Sequence, residues 1–243
     1  MKNLVRVAML TLLVLIAPTV EAKKPKLPQY DNPLALQRAD PFIAREKGMY
    51  YFIATVPEYD RIEIRKSKTI NGIKNAKPVV VWRKKSQGPM GNHIWAPELH
   101  RIDGKWYIYF AAGSAEDKWK IRMYALSNPS KDPTKGSWTE EGQVKSNIDH
   151  FSLDATTFEH RGERYMIWTD RAPVGKVNTS LFIAKMLTPT TLDSKQVVIT
   201  SPEFAWEEKG HRVNEGPAVL IRNGKVFVSF SASATDASYC IGL

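Results

Sequence analysis

Cysteine is nearly absent from this chain: Cys240 stands alone among 243 residues. One thiol closes no internal disulfide, so burial must hold the fold together. Long apolar runs are missing as well. The stretch from Val7 to Pro18 is too short to cross a bilayer comfortably, and no membrane span is expected. No phosphate-binding glycine loop and no Gly-x-Ser-x-Gly elbow occur, which removes nucleotide-enzyme and serine-hydrolase chemistry. The histidines, His93, His100, His150, His160 and His211, show neither paired zinc spacing nor a His-Glu-x-x-His. Calcium loops that alternate Asp and Asn around a central Gly are lacking too. The net charge is +10, yet no basic run exceeds Lys23-Lys24 or Arg83-Lys84-Lys85. Charge scattered in this way reads as a solvated surface, and nucleic acid is not an expected partner. No segment sustains a helical period, so the fold class is all-β.

What is present begins at the N-terminus. Lys2 and Arg6 precede the apolar run, and Val20-Glu21-Ala22 supplies small residues ahead of a lysine-rich start. This is the pattern of a signal peptide over residues 1–22, cleaved after Ala22, in a secreted or periplasmic protein. Residues 23–36, rich in Pro and Lys, read as a lead-in lying over the surface. Residues 37–243 form the folded part.

That part is an internal repeat. His93 to Gly113 reads as one β-hairpin, turned at Asp103-Gly104, because both residues of such a turn can take the positive φ that matches strand twist. Three copies share the plan, with turns at Lys47-Gly48, Arg161-Gly162 and Asn223-Gly224. After each hairpin come more polar strands: Arg61 to Arg65, whose strict alternation reads as half-exposed, and Pro78 to Trp82 in the first copy. Lys120 to Ala125 follows in the second, then Ser180 to Lys185 and Gln196 to Ile199 in the third. Buried inner strands and wet outer ones make a propeller blade. The fourth copy reaches only Tyr239 to Leu243, so the chain reads as truncated within blade four, with the rest of that blade and at least one more beyond Leu243. Residues 23–243 alone are then expected to fold poorly, with an unpaired edge near Tyr239. An open four-blade arc closed by oligomerisation is the alternative.

Each hairpin opens on an acid. In a propeller the first strands of all blades lie nearest the axis and run the same way, so equivalent residues meet at one mouth. Asp40, Asp154 and Glu215 sit at or just before such strand starts, and Glu98 lies one step deeper. A lone Asp beside a turn is ordinarily a strand cap. Three acids in register in separate repeats are another matter, because gathering like charges costs energy that the fold alone does not require. Such a cluster binds a metal or performs acid–base chemistry, and without metal motifs the second is favoured. Trp95, Phe42 and Phe151 crowd the same strand starts, with Tyr59 in the following loop; aromatics are core by default, but Trp95, three residues before Glu98, is a candidate face for sugar rings. A glycosidase needs one acid to protonate the leaving oxygen and another to activate water.

These motifs together resemble glycoside hydrolase family 43. Asp40-Pro41-Phe42 looks like the family's general-base segment, and Ser152-Leu153-Asp154 like the one whose Asp orients the acid and raises its pKa. Glu215-Gly216-Pro217 looks like the general-acid segment, and Trp95-Ala96-Pro97-Glu98 is similar to a family signature beside the pocket. The resemblance implies a five-bladed β-propeller acting on arabinose- or xylose-containing polysaccharides with inversion. Pro57 to Arg61 and Ser152 to His160 resemble the exo-α-1,5-L-arabinofuranosidase branch. The implied partner is plant cell-wall polysaccharide or oligosaccharide containing arabinose, with no partner protein. Asp40, Asp154 and Glu215 carry the chemistry, and Trp95, Glu98, Phe42, Tyr59 and Phe151 bind substrate. No cofactor is needed for the reaction; the family often holds a structural calcium at the axis, for which this sequence names no ligand. The alternatives are a β-xylosidase or endo-arabinanase of the same family, or a non-catalytic sugar-binding propeller.

Overall fold

Four tight turns set the architecture. At Lys47-Gly48, Asp103-Gly104, Arg161-Gly162 and Asn223-Gly224 both residues have positive φ, between +46° and +79°. That geometry closes a two-residue hairpin without splaying its strands. In the computed structural model, which describes residues 29–171 and 178–243, each turn joins the first two strands of a separate antiparallel sheet. The expected signal peptide and the first residues of the lead-in lie outside the described residues.

The first sheet contains β1 (Ala39–Glu46), β2 (Met49–Thr55), β3 (Arg61–Ser67) and β4 (Val79–Arg83), in that order. The second contains β5 (Asn92–Ile102), β6 (Lys105–Gly113), β7 (Arg122–Asn128) and β8 (Thr139–Gln143). The third pairs β9 (Ser152–His160), β10 (Glu163–Asp170) and β11 (Ser180–Thr188), with β12 (Thr191–Leu192) and β13 (Val197–Thr200) both on β11. The fourth has β14 (Asn214–Arg222), β15 (Lys225–Ala232) and β16 (Cys240–Gly242). The inner strands β1, β5, β9 and β14 touch in succession, so the sheets are the blades of an all-β propeller.

Packing between blades follows from the strand pattern. Ile53, Ile62 and Ile64 of blade one meet Leu99, Trp106, Ile108 and Phe110 of blade two in one core. Tyr109 and Met123 of blade two meet Met166, Trp168 and Ala184 of blade three in a second. Trp106 and Trp168 are fully buried. Each removes roughly 150–250 Å² from water, about 4–6 kcal/mol before conformational entropy is subtracted. Blade four is less covered: Leu220, Ile221 and Phe227 remain exposed on its hairpin, and Ile241 on β16.

Strand β3 corrects one expectation. Its alternation read as half-exposed, yet Glu63 is 5% exposed. Arg38 bonds its Oε1 at 2.8 Å and Arg61 its Oε2 at 3.2 Å. Buried carboxylates need such partners. One of the two guanidiniums comes from outside the strand, so the alternation of β3 alone did not reveal it.

Candidate active site

Every inner strand is bulged at the same place. Asp40-Pro41 oppose Ala54 alone, Ala96-Pro97 oppose Phe110, Asp154-Ala155 oppose Trp168, and Gly216-Pro217 oppose Phe230. The first residue of each bulge has positive φ: +50° at Asp40, +44° at Ala96, +54° at Asp154 and +58° at Gly216. Bulges of this kind bend a strand and re-aim its side chains, and they gather beside active sites. Asp tolerates left-handed backbone better than most residues; Ala96 does not share that advantage and is held by its neighbours.

The bulges refine the expected alignment of acids. Asp40 and Asp154 are equivalent, but Glu215 precedes the first residue of its bulge by one and Glu98 follows the first residue of its own by two. Three acids in strict register is therefore corrected to two in register and one a residue earlier. The extra residue in each bulge breaks the simple two-residue alternation by which sequence position is converted into direction.

Each acid is held by a neighbour. Thr55 donates to Asp40 Oδ2 at 2.6 Å, while its oxygen accepts the Ala96 N–H at 2.8 Å, tying blade one to blade two. Asp154 Oδ2 accepts the Gly216 N–H at 3.0 Å, tying blade three to blade four beside Glu215. Glu98 pairs with His100 at 2.8 Å, and the His100 ring lies 4.9 Å from that of Phe42. Tyr239 donates to Glu215 Oε1 at 2.8 Å. A cavity of about 310 Å³ is walled by Asp40, Pro41, Phe42, Ala96, Glu98, Asp154, Gly216, Pro217, Ala218, Ser231 and Tyr239. Glu215 is not part of that wall and sits against Tyr239, which is.

Electrostatics single out two of the acids. Burial pushes the Asp154 carboxyl well above the usual range, and the charges of Glu215 and Asp40 push it further. Burial also raises Glu215; Tyr239 opposes the rise and the charge of Asp40 adds to it. Neighbouring carboxylates cannot both ionise freely, so the proton belongs to the pair. Proteins shift pKa values in this way at sites built for proton transfer.

The same shift carries a stability cost. A carboxyl with a raised folded-state pKa stabilises the fold below its unfolded pKa, and that contribution is lost as pH rises through the folded value. Asp154→Asn keeps an acceptor for the Gly216 N–H, and Asn tolerates the φ of +54°. At neutral pH this variant is expected to melt higher than the parent by about 2–4 °C, the shift that 1 kcal/mol gives a domain of this size. Thermal melts across pH check this; the gap should close below about pH 4, where an unfolded Asp also takes up its proton.

The remaining expected residues divide. Phe42 and Glu98 line the cavity; Tyr59, Trp95 and Phe151 do not. Trp95 stacks on His93 with ring centres 4.2 Å apart, and Tyr59 and Trp119 stand edge-on to that stack. Trp119, 59% exposed, and Tyr59, 42% exposed, leave ring surface open around Trp95, the residue before Ala96 of the cavity wall. Phe151 packs with Trp95 over Ala111, Ile121 and Leu153. Thr55, His100, Ser231 and Tyr239 were not anticipated as site residues. Among the described residues no three His, Cys, Asp or Glu side chains come together as a metal-binding set.

The model of the family described as Glycosyl hydrolases family 43 matches residues 30–243. An extracellular exo-alpha-(1->5)-L-arabinofuranosidase of Streptomyces chartreusis is 52% identical over 227 residues, covering 93% of this chain and 69% of the relative. An enzyme of the same name from Streptomyces avermitilis is 52% identical over 239 residues, covering 97% of this chain; the chain spans 50% of that relative's length. The crystal structure of an alpha-L-arabinofuranosidase from Lactobacillus brevis superposes with a TM-score of 0.84 at 48% identity. It covers 88% of this chain, which accounts for 69% of that structure. With a family match of this extent, the chain belongs to glycosyl hydrolases family 43.

Proposed function

We propose that this chain is the catalytic propeller of an exported glycosidase that releases L-arabinofuranose from the ends of α-1,5-linked arabinan and arabino-oligosaccharides. The observation that carries the proposal is the arrangement of acids across the blades. Asp40 faces the cavity from blade one, while Asp154 and Glu215 share a raised affinity for protons where blades three and four meet. That is a base and an acid on separate supports, as a single displacement needs. Asp40 takes a proton from water as the water attacks the anomeric carbon. The glycosidic C–O bond breaks, its electron pair stays on the departing oxygen, and Glu215 gives that oxygen a proton. Asp154 orients the segment through the Gly216 N–H and keeps the proton near neutral pH.

The substrate rests on relatives named as extracellular exo-alpha-(1->5)-L-arabinofuranosidases at 52% identity. That name also supports export, in keeping with the signal-peptide pattern of residues 1–22. Phe42 and Glu98 contact the sugar within the cavity, and the open ring surfaces of Tyr59 and Trp119 take up the rest of the chain, with Trp95 and Phe151 as backing. Five blades are part of the proposal: the exposed apolar residues of blade four, Leu220, Ile221 and Phe227, offer a surface for one more.

On linear α-1,5-arabino-oligosaccharides the full-length protein is expected to yield monomeric arabinose as its first product, followed by chromatography of early time points. Short oligomers appearing first would mean an open, endo-acting cleft, and cleavage of β-1,4-xylosides in place of arabinosides would overturn the substrate.

A further inference from the structure

Tyr239 lies 24 residues beyond the acid it touches and belongs to no motif read from the sequence. Strand pairing brings it there. Glu215 stands opposite Ser231 across β14 and β15, and Ser231 stands opposite Ile241 across β15 and β16. Tyr239, just before β16, therefore arrives over Glu215, and its ring forms part of the cavity wall. Burial raises the phenol, and the charge of Glu215 raises it further, so it remains a proton donor over the working range. Ser231, opposite Glu215 across β14 and β15, lines the same cavity wall as the phenol. The bond has one direction, because the phenol O–H donates and Oε1 of Glu215 accepts.

We propose that Tyr239 is a positioning residue for the acid, holding Oε1 of Glu215 as an acceptor so that the transferable proton sits on Oε2. A carboxylic acid has one proton and two oxygens. A proton on Oε1 would confront the phenol O–H donor to donor, whereas a proton on Oε2 leaves that bond intact. When the substrate's C–O bond breaks, the Oε2 proton passes to the departing oxygen, and the carboxylate left behind gains strength in its bond from Tyr239. The phenol thus stabilises the product state of proton transfer and fixes which oxygen delivers. Its own proton is not consumed.

The inference rests on Glu215 being the acid, and the test separates the two. The full-length protein and its Tyr239→Phe variant are compared on an arabinobioside and on a 2,4-dinitrophenyl arabinofuranoside, over a full pH range. Loss of a hydrogen bond to a carboxylate raises its pKa, so the basic limb of the variant's profile is expected to move to higher pH. On the arabinobioside kcat is expected to fall on the order of tenfold, with a smaller fall on the aryl substrate, whose departure needs less help from an acid. Ser231→Ala, which removes a polar neighbour of the phenol in the cavity wall, should move both readouts the same way by less, and it serves as well should Tyr239→Phe fold poorly. Profiles of both variants that superimpose on the parent's, or equal losses on the two substrates, overturn the role of Tyr239. An undiminished Glu215→Gln would instead overturn the acid itself, whatever Tyr239 does.

Discussion

Glu215→Gln is expected to lower kcat on arabino-oligosaccharides by about 10²–10⁴-fold, the usual contribution of a positioned general acid. Gln has nearly the shape of Glu and still accepts the Tyr239 hydrogen bond through its amide oxygen, so the cavity wall should stay in place. What it lacks is a proton to give. A sugar alkoxide is a poor leaving group and departs only as the neutral alcohol, whereas a dinitrophenolate leaves largely unassisted. The loss should therefore depend steeply on the leaving group, with KM on oligosaccharides little changed. Steady-state kinetics on both substrates measure this. A uniform loss on the two would mark Glu215 as structural, and no loss would remove it from the mechanism.

The second large effect is expected at Asp40, in the cavity wall. Asp40→Asn preserves the bond from Thr55, since an amide oxygen accepts it equally, and Asn accommodates the φ of +50° at the bulge. The variant cannot take a proton from water, and turnover is expected to fall by about 10²–10⁴-fold on good and poor leaving groups alike. That indifference to the leaving group separates base from acid. Azide is a nucleophile that needs no deprotonation, so adding it should restore turnover of an aryl arabinofuranoside by Asp40→Asn and give the arabinosyl azide of inverted configuration. The same addition to the parent should change little. An inactive Asp40→Asn that azide does not rescue, with an unaltered melting temperature, would contradict the assignment of the base.

The sequence carried the parts of this account that depend on local chemistry. Asp103-Gly104 and its three counterparts read as two-residue turns because few residue pairs adopt positive φ twice, and all four have it. The acids stood out because an acid recurred at the opening of each repeat. Other features are set by contacts between blades, on which a single strand is silent. The burial of Glu63 depends on Arg38, outside its strand. The one-residue offset of Glu215 follows from bulges whose first residues, Asp40, Ala96, Asp154 and Gly216, share a conformation and no common side chain. Ala96 in particular gives no hint of positive φ. Tyr239 escaped notice because its partner lies two strands away and is reached only through the pairing of β14, β15 and β16. Trp95 shows the reverse case. Its place beside the cavity was legible, yet its ring stacks on His93 and stays outside the cavity wall.

Asp40 and Glu215 are proposed to act in one displacement on arabinofuranosyl ends. Time-resolved proton NMR of the full-length protein turning over a linear α-1,5-arabino-oligosaccharide tests it most directly, because the anomeric signal of the first product is read before mutarotation. Monomeric arabinose is expected first as the β-anomer, with the α-anomer growing in later. Arabinose appearing first as the α-anomer would contradict it, since retention needs a covalent intermediate and a carboxylate acting as nucleophile.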